Sequence, residues 1–416
     1  MRIGFFTDTY RPNLNGVVIS IETFAAEIDR LGSSVVLFAP GAQLTELFSL
    51  GRRGALDLPP GIDAVYSIPS VPLLFERTQR LALPIERLVL AWAERAHLDV
   101  VHTHTPFGIG YAGVQAGRTL GLPLIHTYHT YYAEYSHYLR AGAGLARRVT
   151  PAVSRWFCNL HDWVIAPSHD IEALLTHYGV RRPIQVLQTG VPIPPEATAA
   201  GRETARRALG LGAKARPLLF VGRLAREKNL DLLLDAMLLL RERVPGVILL
   251  LAGDGPDRPR LERGVAERGL AREVRFLGWV PHDAIEPCYR AAEVFAFPSL
   301  TETQGLALLE AMARGCAVVV ARGPGVGDLI DHGENGLLAD PEPAPFAAGV
   351  ATLLSQAGLA SRLGAGARRR ALDLDSGCMA RVLVRRYDEL RAGARRERRG
   401  LRGLALRARE EVAAWR

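Results

Sequence analysis

The chain of 416 residues exceeds one ordinary domain core, and its 48% hydrophobic and 23% charged residues with a formal charge of +8 exclude a disordered chain and predict two globular domains. Cys158, Cys288, Cys316 and Cys378 lie far apart with no CxxC pair, which excludes a disulfide framework and a zinc knuckle and points to a reducing compartment. No run reaches about 18 consecutive apolar residues, and the opening MRIGFFTDTYRP lacks the apolar region and cleavage site of a signal peptide, so a cytoplasmic protein is expected.

Short runs of Val, Ile, Leu and Phe alternate with helix-like stretches, the pattern of strands buried on both faces of parallel sheets. In the first half the runs are Ile3 to Thr7, Ser34 to Ala39, Val100 to His104, Pro123 to Tyr128, Trp163 to Pro167 and Ile184 to Leu187. In the second half they are Pro217 to Gly222, Val247 to Gly253, Val274 to Leu277, Val294 to Pro298 and Ala317 to Ala321. An α/β fold follows, with two Rossmann-like doubly wound domains over residues 1–190 and 191–375 and a basic helical tail over 376–416. Between the halves, VPIPPEATAAGRETARRALGLGAKARP has closely placed prolines that exclude a central strand and an Ala/Arg stretch that reads as a short helix, with the hinge near Val191 to Pro195. From Arg381 to Arg416 there are twelve Arg against five acidic residues, so most of the basic excess is C-terminal. This block suits a solvated helix face or an anionic membrane surface. A nucleic-acid partner is not expected, because no aromatic residues are interleaved for base stacking. The tail is expected outside the second sheet, packed back on the first domain.

Ligands of open α/β sheets bind beyond the carboxyl ends of the strands, so the residues just after each run are the informative ones. After the first run, TDTYRPNLNGVVISIETFAAEI places Asn15-Gly16 before an amphipathic helix. Gly16 permits close approach of a ligand and the helix N-terminus offers amides to phosphate, although an ordinary strand-to-helix turn has the same pattern. In FVGRLAREKNLDLLLDA, Arg223 and Lys228 stand between a strand and a helix, where a fork and a point charge suit a diphosphate; the alternative is pairing with Glu227 or Asp231. In FAFPSLTETQGLALLEAMARGCAVV a strand ends at Pro298 and a helix begins near Gly305, so the amides of Gly305 and Leu306 are placed to receive phosphate oxygens. Glu302 stands at the strand's mouth and Glu310 two turns into the helix. Carboxylates there accept hydroxyls of a hexose or ribose; otherwise Glu302 complements the helix dipole and Glu310 is a surface residue. His102, His104, His126, His129 and His137 follow two adjacent strands without HExxH spacing, which suits a cleft better than a metal cage. Neither a metal nor another cofactor is expected. Asp373-Leu374-Asp375 has the DxD form but sits far from any strand end.

Glu302 and Glu310, with seven residues between them and Ala-Met-Ala following, resemble the signature of the retaining glycosyltransferases of the GT-B fold called family 4. Arg223 and Lys228 fit the GRLxxEKN motif of that family, and LAGDGP from Leu251, FLGWVPHDAI from Phe276 and NGLLAD from Asn335 also fit. The resemblance runs from Arg2 to about Tyr387. It implies that Arg223 and Lys228 bind a donor diphosphate, that Glu310 binds the ribose, that backbone near Val280 meets the base, and that Glu302 faces the donor sugar. His129 in HTYHT matches the histidine beside the reacting sugar in related phosphatidylinositol mannosyltransferases, and Gly16 matches their glycine loop.

VHTHTPFGIGYAGVQAGRTLGLPLIHTYHTYYAEYSHYL and LTETQGL look like bacterial diacylglycerol glucosyltransferases. The implied partners are a nucleotide-sugar donor, UDP-glucose by preference, and a hydroxyl acceptor, diacylglycerol, in membrane glycolipid synthesis. A GDP-mannose donor or a soluble acceptor is the alternative within the family. A nucleotide-sugar epimerase is a further rival, but the first strand is not followed by GxGxxG. The implied chemistry is attack by the acceptor on the face from which the nucleotide leaves, in a cleft between the domains and without a metal. In AGAGLARRVTPAVSRWFCNL, Arg147, Arg148 and Arg155 lie near Leu145, Val149, Trp156 and Phe157, as in a helix lying at the inner face of the cell membrane.

Overall fold

A computed structural model describes residues 1–11, 15–41, 58–72, 80–82, 86–131 and 143–414; His137 lies outside the described residues. The first elements are β1 (Arg2–Phe6), α1 (Gly16–Arg30), β2 (Ser34–Pro40), β3 (Ile62–Ile68), β4 (Ser70–Pro72), β5 (Arg80–Ala82), α2 (Glu86–Arg95), β6 (Val100–Thr103) and α3 (Gly108–Leu120). There follow β7 (Leu124–Thr127), α4 (Ala143–Cys158), β8 (Trp163–Ala166), α5 (His169–His177) and β9 (Ile184–Val186). Next come α6 (Ala199–Ala208), β10 (Arg216–Val221), α7 (Leu230–Arg243), β11 (Val247–Ala252), α8 (Arg258–Glu267), β12 (Val274–Gly278), α9 (Glu286–Ala291) and β13 (Val294–Phe297). The last are α10 (Leu306–Ala313), β14 (Ala317–Ala321), β15 (Leu337–Ala339), α11 (Pro343–Ser355), α12 (Ala357–Asp373) and α13 (Ser376–Ala414).

The chain divides into two compact units, one of Met1–Pro167, Ile171–Leu187 and Ser376–Arg416, the other of Ser168–Asp170 and Gln188–Asp375. Each holds a parallel sheet, ordered β3-β2-β1-β6-β7-β8-β9 in the first and β12-β11-β10-β13-β14-β15 in the second. Both orders reverse beside their first strand, between β1 and β6 and between β10 and β13, which are the switch points where doubly wound sheets bind ligands. Each apolar run of the sequence lies within a residue of a strand. β3 was not expected because IDAVYSI interrupts its apolar residues with Asp63 and Ser67, as an edge strand does. The three-residue β15 is too short for periodicity to show.

Alternation along the strands explains the first unit's layers. Ile3 and Phe5 of β1 face Ile21, Phe24 and Ile28 of α1, while Phe6 faces Ala112 of α3 and Phe157 of α4. Ala380, Leu383 and Tyr387 of α13, all fully buried, complete the first of these clusters. Ser376 Oγ donates to Glu27 Oε1 at 2.8 Å and Arg391 pairs with Asp99 at 2.8 Å. Residues 376–416 thus group with the first unit, and the early part of the basic tail forms part of its core. The second unit buries Leu218 and Phe220 of β10 with Leu249 and Leu251 of β11 against α7 and α11. No helix among the described residues is long and apolar enough to cross a membrane.

Candidate functional site

At the second sheet's switch point, β10 is followed by Arg223, half-buried two residues past the strand, and then by a single 3-10 turn, Arg226–Lys228. Asn229 adopts a left-handed conformation (φ 51°) and its amide donates to the Pro298 carbonyl at 3.3 Å, which ties this turn to the end of β13. Lys228 Nζ consequently reaches Glu302 Oε1 at 2.6 Å. Asp231, one of the partners the sequence allowed, pairs instead with Arg260 at 2.7 Å.

The Glu302 loop is held from two sides. Gly325 (φ 77°) lies so close that a Cβ there would stand 2.0 Å from the Glu302 carbonyl oxygen, so only glycine fits. Gln304, 4% exposed, accepts from Thr189 N at 2.8 Å and donates to Thr189 O at 2.6 Å. α10 then begins at Leu306 behind Gly305 (φ 80°), which has no side chain to cap it. The N-cap position thus belongs to glycine, and Glu302, three residues earlier, makes no side-chain cap to this helix. An uncapped helix start leaves amides and a positive dipole end for an anion.

Glu310 is buried, so the alternative of a surface residue is not realised. Tyr289 of α9 donates its hydroxyl to Glu310 Oε2 at 2.8 Å. Burial and then the Glu310 carboxylate push the Tyr289 hydroxyl well above its ordinary pKa, so it stays a donor. Glu310 Oε1 lies 3.8 Å from His282 Nδ1. Since His282 follows Val280 by two residues, the Val280 loop abuts the Glu310 carboxylate.

At the first unit's switch point, Asp8 after β1 meets Thr105 after β6. Asp8 accepts from Thr105 Oγ1 at 2.6 Å, Ile109 N at 2.9 Å and Gly110 N at 3.3 Å, so it caps α3 from a distant strand. Burial raises its pKa and these hydrogen bonds oppose the rise. Gly16 opens α1 and is exposed, but Asn15 Oδ1 accepts from Val17 N and Val18 N. The amides expected to be open to phosphate there are thus partly occupied by the helix's own N-cap.

The histidines require a correction too. His102 and His126 lie within β6 and β7 and are 1% exposed, as is His104, so they are core residues rather than cleft residues; of the four described histidines of this group, His129 alone is partly exposed. His102 bonds Tyr387 Oη at 2.6 Å and Thr127 Oγ1 at 2.7 Å, and Thr103 Oγ1 joins His126 to His161, each at 2.9 Å. His104 Nδ1 lies 2.9 Å from His129 Nε2. Burial holds His102, His104 and His161 well below the ordinary imidazole pKa and pushes His126 and His129 down to about 3. Among the described residues no group of three or more His, Cys, Asp or Glu is placed to hold a metal ion.

In α4, Phe157 is fully buried and does not belong to an interfacial face, whereas Val149, Val153 and Trp156 are 45%, 39% and 50% exposed. Their spacing puts them on one stripe, and Trp156 stacks on Tyr111 at 5.6 Å between centroids. The side chains of Leu145 and Arg147 lie outside the described residues.

Residues 201–370 match the family model of group 1 glycosyl transferases, and residues 14–193 that of glycosyltransferase family 4. The chain is 32% identical over 334 residues to alpha-monoglucosyldiacylglycerol synthase of Streptococcus pneumoniae, covering 79% of this chain and 73% of that protein. It is 26% identical over 348 residues to the protein of the same name from Acholeplasma laidlawii, covering 81% and 84%. Anabaena Alr3699/HepE, crystallised with UDP, has the same fold, with a TM-score of 0.74 at 22% identity over 94% of this chain and all of that one. The two switch-point sheets and these matches agree: the chain belongs to the family 4, group 1 glycosyltransferases, with the two α/β domains of the GT-B fold.

Proposed function

We propose that the protein transfers glucose from UDP-glucose to the hydroxyl of diacylglycerol with retention at the anomeric carbon and without a metal. The observation that carries the donor side is the Lys228–Glu302 pair beside the uncapped start of α10, at a switch point. The names of the two synthases above support glucose and diacylglycerol. UDP in the HepE complex accords with the choice of base.

In this reading Arg223, Lys228 and the amides of Gly305 and Leu306 hold the diphosphate. Glu310 takes the ribose hydroxyls, backbone at Val280 meets the base, and Glu302 takes a sugar hydroxyl. In the first unit, His129 faces the transferred sugar and Gly16 borders the donor. As the anomeric carbon–oxygen bond breaks, its electron pair stays on the departing phosphate. The acceptor oxygen bonds to the same face of that carbon and its proton passes to the phosphate oxygen. Cations and helix dipole stabilise the departing charge.

A lipid acceptor requires access to a bilayer. Val149, Val153 and Trp156, with exposed Arg148 and Arg155 on the same helix, have the composition of a face that enters an anionic interface peripherally. A screen of UDP- and GDP-sugars against extracted lipid and soluble acceptors tests the substrate assignment. Transfer from UDP-glucose to diacylglycerol is expected; preference for GDP-mannose or for a soluble acceptor overturns it.

A further inference from the structure

We propose that His104 is a positioning residue for His129: it donates its Nδ1–H to Nε2 of His129 and thereby fixes both the plane of that ring and the place of its proton, on Nδ1. This rests on the reading that His129 faces the transferred sugar, and it assigns the tautomer that His129 presents there.

The two nitrogens are 2.9 Å apart, and the rings lie 21° from coplanar with centroids 5.2 Å apart, the edge-to-edge geometry of an in-plane hydrogen bond. One proton must lie between two neutral imidazoles, and the far side of His104 decides which ring owns it. His104 is 1% exposed and its Nε2 has no hydrogen-bond partner among the described residues. Were Nδ1 of His104 the acceptor, its proton would sit on Nε2 as a buried donor with nothing to receive it, the rarer and costlier kind of orphan. With the proton on Nδ1, Nε2 is a bare lone pair. His129 then accepts at Nε2 and carries its own proton on Nδ1.

The support extends behind His104. Its ring stacks on His102 at 4.3 Å and receives the edge of Phe5 at 4.7 Å, and its backbone N–H donates to the Phe6 carbonyl at 2.8 Å. His102 is in turn fixed at both nitrogens, by Tyr387 of α13 and Thr127 of β7. The C-terminal helix therefore belongs to the platform that orients His129. Burial keeps these rings neutral, which preserves the single-proton bond.

The test is a long-range proton–nitrogen spectrum of the full chain with 15N-labelled histidine, His129 being assigned by loss of its signals in His129→Ala. The expected spectrum is the Nδ1–H form of His129. His104→Leu should shift it toward the Nε2–H form and lower kcat about tenfold, with the donor KM within about twofold. His104→Asn, whose amide places an N–H near the position of Nδ1, should restore the Nδ1–H form and most of kcat. An Nε2–H signal for His129 in the parent protein overturns the proposal, as does a folded His104→Leu with unchanged tautomer and kcat. Should His104→Leu fail to fold, the parent and His104→Asn spectra decide. Normal transfer by folded His129→Ala would remove the sugar-facing reading and leave the tautomer result standing, so the two failures are distinct.

Discussion

Lys228 Nζ and Glu302 Oε1 are 2.6 Å apart, with side chains 20% and 13% exposed. They come from the ends of β10 and β13, strands adjacent in the second sheet, so the sheet order itself brings them together. A donor diphosphate would compete with Glu302 for the ammonium and free its carboxylate for a sugar hydroxyl. In the unliganded protein, Lys228→Ala and Glu302→Gln should each lower stability by about 1 kcal/mol, and the double variant by less than the sum, with coupling of about 1 kcal/mol. A double-mutant cycle in denaturant measures this, and additive effects would disconnect the pair. Lys228→Ala should also raise the donor KM.

Tyr289→Phe removes the hydroxyl held 2.8 Å from Glu310 Oε2. If Glu310 binds the ribose equally in ground and transition states, the donor KM should rise roughly fivefold with kcat nearly unchanged. Steady-state kinetics over donor concentration check this; a fall in kcat at constant KM would place the pair nearer the reacting bond.

The imidazoles of His102, His104, His126 and His161 are at most 1% exposed and titrate well below the usual value, His126 near 3. In the unfolded chain each binds its proton near pH 6.5, whereas the folded form does so only far lower. Their contribution is therefore complete above pH 6.5 and is lost as pH falls toward the folded values. Each can remove up to about 2 kcal/mol between pH 7.5 and pH 5, a shared loss of several kcal/mol. The thermal midpoint should fall steeply over that interval, and a flat profile would contradict the burial of neutral rings.

The central strands of both sheets were legible because strands buried on both faces leave uninterrupted runs such as Val247–Ala252. Lys228, Glu302, Gly305 and Glu310 were legible from their places just past strands or within the following helix. Their pairing was not, because local spacing also allowed Lys228 to meet Asp231. Asp8, Tyr289, Gln304 and Tyr387 were missed for a related reason: each acts on a partner distant in sequence, Tyr387 on a histidine 285 positions earlier. One signal was available for the histidines. In the strand-ending His102-Thr103-His104, alternation puts both rings on one side and the threonine on the other, which already argued for a buried stack.

The stripe formed by Val149, Val153 and Trp156 gives a separate prediction. Trp156→Ser with Val153→Ser should reduce sedimentation with anionic vesicles by about tenfold or more while leaving the thermal midpoint nearly unchanged, since these side chains are 50% and 39% exposed. Equal sedimentation of parent and variant would remove this stripe from membrane attachment.

The central claim is that Glu302 and His129 contact the sugar as it transfers from UDP-glucose to diacylglycerol. The direct measurement is single-turnover transfer by Glu302→Gln and His129→Ala, with the thermal midpoint and the anomeric proton spectrum of the product taken on the same preparations. An α-linked product is expected from the parent protein, and both variants should be folded yet slower by about a hundredfold or more, because hydrogen bonds strengthened in the transition state act on rate. A β-linked product would contradict retention, and near-normal transfer by either folded variant would contradict that residue's place at the sugar.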